Sequence, residues 1–314
     1  MTISRAPMRI SFAGGGTDTS IFASKYGGSV VSAAISRYVT VKMGQERNQF
    51  VSYPVDETEP EYLAKTAKRL GLDVSLESRV DAPPRSGLGA SGAVGVAAVG
   101  CLNTLLKRKL SRNEIAEMAH SIETGEMGIA GGRQDQYAAC WGGINLMTFE
   151  GEEATVKPLK LKPEVLLTLE SSLILVFIHS RQGSSSRIME DETRRVQQAE
   201  QGVMRALCRQ KELAKETATA LLDADLEGFG RILDEAWQVK KEQTPLVTND
   251  VIDAIYGIGK KAGALGGKLS GAGGGGYMFL FAPGKEGSVA EALRTIGLRP
   301  ENVTFDWKGL TVWQ

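Results

Sequence analysis

Cysteine is scarce in this 314-residue chain: Cys101, Cys140 and Cys208 are odd in number and far apart. That excludes a disulfide framework and a CxxC metal site, and leaves reduced thiols like those of a cytosolic protein. An excess of one charge is also missing. With 37 basic and 37 acidic residues the formal net charge is zero. This excludes the broad electrostatic footprint of a nucleic-acid or anionic-membrane binder and favours a small-molecule partner. No apolar run has the roughly 20 residues of a bilayer span. The most apolar stretch, "GAVGVAAVGCLNTLL", is short, built of small residues and interrupted by Asn103, a pattern that suits a buried helix. The first residues, "MTISRAPMRISFAGGG", carry the β-branched residues of a strand rather than the apolar core of a secretory signal, so the cytoplasm is the expected location. Short-period repeats and extended low-complexity tracts are lacking as well.

What is present is a mixture of strand and helix patterns. The runs "MRISFAG", "SVVSAAIS" and "YVTVKMG" are separated by glycine turns, then followed by the helical "EPEYLAKTAKRLG" and the strand-like "VSLESRVDAP". Ser111 and Glu114 form an S-x-x-E capping box at the start of a further helix, and Lys107, Arg108 and Lys109 suit the C-terminal end of the helix before it. Beyond these, "SSLILVFIH" reads as a buried strand, residues 187–216 as one long polar helix, and "TNDVIDAIYGIGKKAG" as a helix entered through an Asx or Thr cap. The class is α+β. The length suggests two lobes, and the charged stretch "EGEEATVKPLKLKPEV" predicts the connection between them, giving residues 1–165 and 166–314.

One loop, "SGLGASG" at 86–92, sets Gly87, Gly89 and Gly92 at the G-x-G-x-x-G spacing associated with dinucleotide folds. Its surroundings do not fit that reading. Such a fold wants a strand directly before the glycines and an acidic residue about 20 positions later; here Pro83 and Pro84 intervene, and the later positions are Lys107, Arg108 and Lys109. A Walker-type G-x-x-x-x-G-K-[ST] is missing, as are the H-R-D and D-F-G elements of protein kinases. What remains is a helix N-terminus behind small residues, whose free N–H groups and positive dipole end attract phosphate oxygens. That dipole contributes about 0.3–2 kcal/mol per anion, so a triphosphate also needs a metal or a basic side chain. Ser86 and Ser91 offer hydroxyls at the loop, and a serine oxygen is a suitable hard ligand for Mg²⁺.

Three glycine-centred segments therefore need one explanation: "PMRISFAGGGTD" at 7–18, "PPRSGLGASGA" at 83–93 and "KLSGAGGGGYMFLF" at 268–281. In this order they resemble the three motifs of the GHMP kinases, the family of galactokinase, homoserine kinase and mevalonate kinase, and the resemblance runs from end to end. It implies an N-terminal lobe like ribosomal protein S5 domain 2 and a ferredoxin-like C-terminal lobe, with the active site between them, and it implies ATP and Mg²⁺. By the family pattern the middle loop, Ser86, Gly87, Leu88, Gly89, Ala90, Ser91 and Gly92, wraps the ATP phosphates, and Ser91 contacts the metal. The second metal ligand is a carboxylate on the next helix; Glu123 stands twelve residues before Asp135, and Glu126, one turn on, is the competing position. Asp135, in "GGRQDQYAA", looks like the aspartate of the sugar-kinase branch that accepts or orients the attacking hydroxyl, a role typically worth about 10²–10⁴-fold. Arg9 matches the arginine of the first motif and is expected beside Asp135, where it would hold the carboxylate ionised and offset charge developing on the sugar oxygen.

Within that family the pattern "APMRISFAGGGTD", with "GRQDQYAA" and "GAGGGG", is similar to the D-glycero-D-manno-heptose 7-phosphate kinases, which phosphorylate an anomeric hydroxyl. The resemblance assigns Gly15, Gly16, Thr17 and Asp18 to the sugar site, with Gly273 and Gly274 of the third glycine run also on the substrate side. A heptose 7-phosphate needs a remote anion site. Ser184, Ser185 and Ser186 at a helix N-terminus, with Arg187 beside them, are one reading, an ordinary serine cap the other. Arg133 is a further candidate for that anion. Two alternatives stay open: a 1-kinase for an unphosphorylated sugar such as fucose or galactose, and a catalytically silent sugar- or nucleotide-binding member of the fold.

Overall fold

The computed structural model describes residues 1–44, 49–53, 58–180 and 185–314, with only the backbone of 185 and 186. Its first sheet is built on two long antiparallel strands, β1 (Ile3–Ala13) and β2 (Gly28–Met43), paired from Ile3 opposite Lys42 to Ala13 opposite Val31. From Ala6 onward β1 is buried without alternation, the pattern of a strand covered on both faces rather than one. The far half of β2 pairs with β4 (Leu76–Val80), which pairs in parallel with β3 (Phe50–Tyr53); the near half pairs with β5 (Ile144–Glu150), which carries β6 (Glu153–Pro158). The last strand, β11 (Thr311–Trp313), returns to the outer edge of β1. A second, four-stranded sheet has the order β10 (Pro300–Asn302), β7 (Leu173–His179), β9 (Gly276–Phe281), β8 (Gly266–Leu269). The charged stretch expected to link the lobes is itself ordered, as β6 and the start of α6 (Pro163–Ser172).

Helices α1 (Ser20–Tyr26) and α2 (Thr58–Arg69) precede α3 (Ala90–Asn103), the small-residue helix. From Gly92 to Leu102 every residue of α3 is buried, as a helix apolar all round must be. The small residues set how closely its neighbours approach: a β-carbon at Gly95 would lie 2.1 Å from the Tyr62 hydroxyl, and one at Gly100 2.7 Å from Leu310. Past its end, Lys109 Nζ donates to the carbonyls of Asn103, Thr104 and Leu106 at 3.1, 2.6 and 2.8 Å, so it acts as a C-terminal cap. The capping box of α4 (Arg112–Ser121) forms, with the Ser111 hydroxyl accepting from Glu114 N and the Glu114 carboxylate from Ser111 N. Then come one π-helical turn (Ile122–Glu126) and α5 (Gln134–Trp141).

The long polar helix expected over 187–216 is two helices, α7 (Ser185–Gln197) and α8 (Gln201–Leu222). The break is a Schellman-type end: Ala199 takes φ 51°, and Glu200 N reaches back to Arg195 O at 3.1 Å. Helices α9 (Leu226–Lys241), α10 (Asp250–Lys261, capped by the Asn249 side chain) and α11 (Glu286–Thr295) complete the chain. One apolar core joins the lobes. Phe12 of β1 meets Phe229 of α9 and Phe279 of β9 edge-on, with ring centroids 5.2 and 5.9 Å apart, and so fixes the angle between the sheets where β1 delivers Arg9.

Candidate active site

A cleft of about 280 Å³ lies between the lobes, and all three glycine segments line it. At its centre Arg9, buried on β1, donates through Nε to Asp135 Oδ1 at 2.8 Å and through Nη2 to the same oxygen at 2.7 Å. Its Nη1 donates to Gly87 O at 2.7 Å and Ser270 Oγ at 3.3 Å, and its main-chain N to Leu88 O at 2.9 Å. One arginine thus takes up two carbonyls of the middle loop. Gly87 and Gly89 sit at φ 80° and 76°, a left-handed region glycine enters at no steric cost. Gly89 ends the loop as the N-cap of α3, and the N–H groups of Ala90, Ser91 and Gly92 follow as the unpaired first turn.

The third segment is glycine-rich for a packing reason. A β-carbon at Gly276 would lie 2.3 Å from Ser86 O and one at Gly271 2.7 Å from Gly87 O, both at positive φ. Tyr277 N donates to Ser86 O at 2.8 Å. The third motif is therefore a bed on which the phosphate loop lies. Gly92 plays the same part behind the loop, where a β-carbon would meet Asp135 Cβ at 2.7 Å, while Leu88 is buried.

Glu123 sits in the π-helical turn, closed by Met127 N donating to Ile122 O at 2.9 Å. The extra residue of such a turn re-aims a side chain, here into the cleft. Ser91 Oγ donates to Glu123 Oε1 at 2.5 Å and Gln136 Nε2 to Oε2 at 2.5 Å. Both partners are neutral, and burial, with Asp135 adding repulsion, pushes the Glu123 carboxyl up to about 7 against the lowering effect of Ser91, Gln136 and Arg9. A buried carboxylate beside a serine hydroxyl, lacking an ion-pair partner among the described residues, fits a divalent cation that draws its other ligands from phosphates and water. No cluster of three or more His, Cys, Asp or Glu able to hold a metal exists among the described residues, so an all-protein cage is not what this site offers. Glu126 instead bonds Arg69 at 3.2 Å on the surface.

The other end of the cleft is polar and charged. Asp18 accepts from Gln134 N at 3.0 Å and Gln134 Nε2 at 3.3 Å, and so caps α5, the helix that carries Asp135. Burial raises its carboxyl above the usual range, opposed by the Gln134 N–H. Around it lie Gly15, Gly16, Ser11, Gln134, Glu192, Lys240 and Lys268. Lys268 Nζ donates to Ser11 O at 2.9 Å, and burial, with Lys240 and Arg9 adding repulsion, lowers its ammonium well below the usual lysine range. Glu192, Lys240 and Lys268 carried no recognisable spacing; only folding brings α7, α9 and β8 to one place.

Several expected site residues do not face the cleft. Thr17 is fully buried, its hydroxyl donating to Gly14 O at 2.8 Å and Ser29 O at 3.0 Å, so it ties the loop to β2. Arg133 is buried behind the site, donating to Gly151 O at 2.6 Å and Glu152 O at 3.0 Å with its guanidinium over the Phe149 ring; its Nε is buried without a hydrogen-bond partner, and the residue is not part of the cleft wall. Arg187 is exposed on α7 and is not part of the cleft wall. Ser184 lies outside the described residues, and Ser185 is known only as the backbone that begins α7. Gly273 and Gly274 pack on Val247, Gly274 N donating to Val247 O at 2.7 Å, while Gly271 and Ala272 reach the cleft instead.

Comparison with known proteins agrees with this geometry. Residues 59–143 match the family model "GHMP kinases N terminal domain" and residues 217–297 match "GHMP kinases C terminal". The chain is 30% identical over 335 aligned residues to D-glycero-alpha-D-manno-heptose 7-phosphate kinase of Campylobacter jejuni, covering 99% of this chain and 98% of that protein. It is 27% identical to a solved D-glycero-D-manno-heptose 1-phosphate kinase from Bacteriodes thetaiotaomicron, with a TM-score of 0.78 over 100% of this chain and 99% of that one. The bifunctional fucokinase/GDP-fucose pyrophosphorylase of Arabidopsis thaliana is 26% identical over 96% of this chain, which spans 31% of that protein.

Proposed function

The chain belongs to the GHMP kinase family and is a sugar kinase of it, and from that premise we propose that it transfers the γ-phosphate of ATP to the anomeric hydroxyl of a heptose 7-phosphate. The observation that carries the reading is the Arg9–Asp135 pair set directly under the N-terminus of α3. The free N–H groups of Ala90, Ser91 and Gly92 bind the phosphates. Arg9 engages Oδ1 of Asp135, leaving Oδ2 to accept the proton of the attacking hydroxyl or to orient it. The guanidinium beside them offsets charge developing on the acceptor oxygen. Ser91 and Glu123 would hold Mg²⁺, which when bound neutralises the β- and γ-phosphate oxygens. The convergence of Arg9, Ser91, Glu123 and Asp135 on one cleft opposes a catalytically silent reading. A cytoplasmic location is part of the proposal; among the described residues no helix is long and apolar enough to cross a membrane.

The test is direct. The purified protein is incubated with ATP, Mg²⁺ and a panel of sugars and sugar phosphates, ADP is followed, and the new phosphate is located by phosphorus NMR. Heptose 7-phosphate is expected to give the 1,7-bisphosphate. No ADP above background with any sugar would overturn the activity, and phosphate at another carbon would overturn the regiochemistry. A kinase for an unphosphorylated sugar is the second reading, favoured by one observation: Arg133 is committed to backbone carbonyls and Arg187 stands outside the cleft.

A further inference from the structure

Two of the three glycines of the first motif, Gly15 and Gly16, lie against specific polar groups. A β-carbon at Gly15 would lie 3.9 Å from Ser11 Oγ, 3.9 Å from Gln134 Nε2 and 4.0 Å from Lys240 Nζ; one at Gly16 would lie 2.5 Å from Glu192 Oε1. Ser11 and Glu192 are each only 3% exposed, as is Lys240, yet all three line the cleft. Ser11 Oγ and Gln134 Oε1 are buried with no hydrogen-bond partner, a costly state for polar atoms that a bound ligand relieves. Gln243 steadies this wall, donating to Gly15 O at 3.2 Å while its Oε1 accepts from Lys240 Nζ at 3.3 Å.

We infer that Glu192 and Lys240, facing Ser11 and Gln134 across Gly15 and Gly16, are specificity-determining residues that read the hydroxyls of a neutral polyol portion of the acceptor. This rests on the sugar-kinase reading and says which part of the acceptor occupies this end. A polyol presents a donor and an acceptor at each carbon. The wall supplies both: carboxylates at Asp18 and Glu192, N–H donors at Lys240 and Gln134, and a hydroxyl at Ser11. Among the described residues of this wall the acidic groups, Asp18 and Glu192, match the basic ones, Lys240 and Lys268, in number, so these residues offer no surplus cation to a phosphate. A phosphate carried by the acceptor points away from this end.

Acceptor dissociation constants are measured by titration calorimetry with a non-hydrolysable ATP analogue, using D-glycero-D-manno-heptose and its 7-phosphate as probes. Glu192→Gln and Lys240→Gln are each expected to weaken both probes by the same factor, at least about tenfold, with affinity for the analogue within about twofold of wild type. The double variant removes both buried charges together and guards against an unpaired charge unfolding the protein. Gly15→Ala is the steric control: its φ is unstrained and its methyl meets only ordinary contact distances, so acceptor binding weakens while the melting temperature holds. Loss of affinity for the 7-phosphate alone in Lys240→Gln overturns the inference, because Lys240 then reads the phosphate. Unchanged acceptor affinity in the variants overturns it as well. Polyol binding without turnover would sink the proposed activity and leave this inference standing; no polyol binding to wild type sinks both.

Discussion

Asp135 and Glu123 are both acidic side chains of one cleft, and their surroundings give them different work. Asp135 is a quarter exposed and held by a guanidinium. Asp135→Asn keeps the shape and removes the acceptor for the hydroxyl proton, so turnover in the ADP assay is expected to fall at least about 10²-fold with ATP affinity little changed. Near-normal turnover would move the role elsewhere. Glu123 has its carboxyl raised from 4.5 to about 7, chiefly by burial. A raised folded-state value means the native protein holds the proton more tightly than the unfolded chain. The resulting stabilisation is therefore full below 4.5 and is lost as pH rises through about 7. Magnesium-free protein is expected to show a melting temperature that declines across this window, and Glu123→Gln to flatten that decline. Apparent Mg²⁺ affinity should rise over the same range, because the cation needs the ionised carboxylate. A melting profile identical in wild type and variant would remove Glu123 from both arguments.

At the scale of elements, the site is a loop laid on a loop. The carbonyls of Ser86 and Gly87 lie against the third glycine segment, so Gly276→Ala adds a methyl 2.3 Å from Ser86 O at a backbone φ of 95°. The loop must then move, and the Michaelis constant for ATP is expected to rise more than about tenfold, measured at saturating acceptor; an unchanged value would mean the bed does not shape the loop. Such elements were legible in the sequence where the signal is local. The Ser111–Glu114 box and the Asn249 cap each act within three residues, and the glycine loops announce backbone that comes close to something. The break between α7 and α8 was not legible, because the left-handed residue is Ala199, where neither glycine nor proline marks a stop. Arg133 and Arg187, expected near an anion, lie outside the cleft wall. Their charge suggested an anion site, but only tertiary structure shows one sealed over Phe149 and the other turned to solvent. Glu192, Lys240 and Lys268 stayed hidden because three distant segments had to fold before they became a wall.

For the whole molecule, catalysis depends on one strand belonging to two lobes. β1 lies between β2 and the edge strand β11 in the seven-stranded sheet, yet its Phe12 is packed edge-on between Phe229 and Phe279 of the other lobe, three residues beyond Arg9. β11, after the second sheet is complete, pairs back onto β1. The lobes therefore share a core and are expected to unfold in a single calorimetric transition. Phe12→Ala leaves a cavity at that joint and should cost about 3–5 kcal/mol in denaturant unfolding. The more informative readout is activity at temperatures where the variant remains folded. If the joint merely adds stability, turnover in the folded variant equals wild type. If, as the packing argues, Phe12 also fixes where β1 presents Arg9 to Asp135 and to the Gly87 carbonyl, the lobes settle differently. Turnover then falls by about tenfold or more, since small misplacements of reacting groups are expensive. Phe12→Leu, which restores most of the volume, should recover both quantities in large part, and a variant that regained stability without turnover would assign the effect to ring geometry.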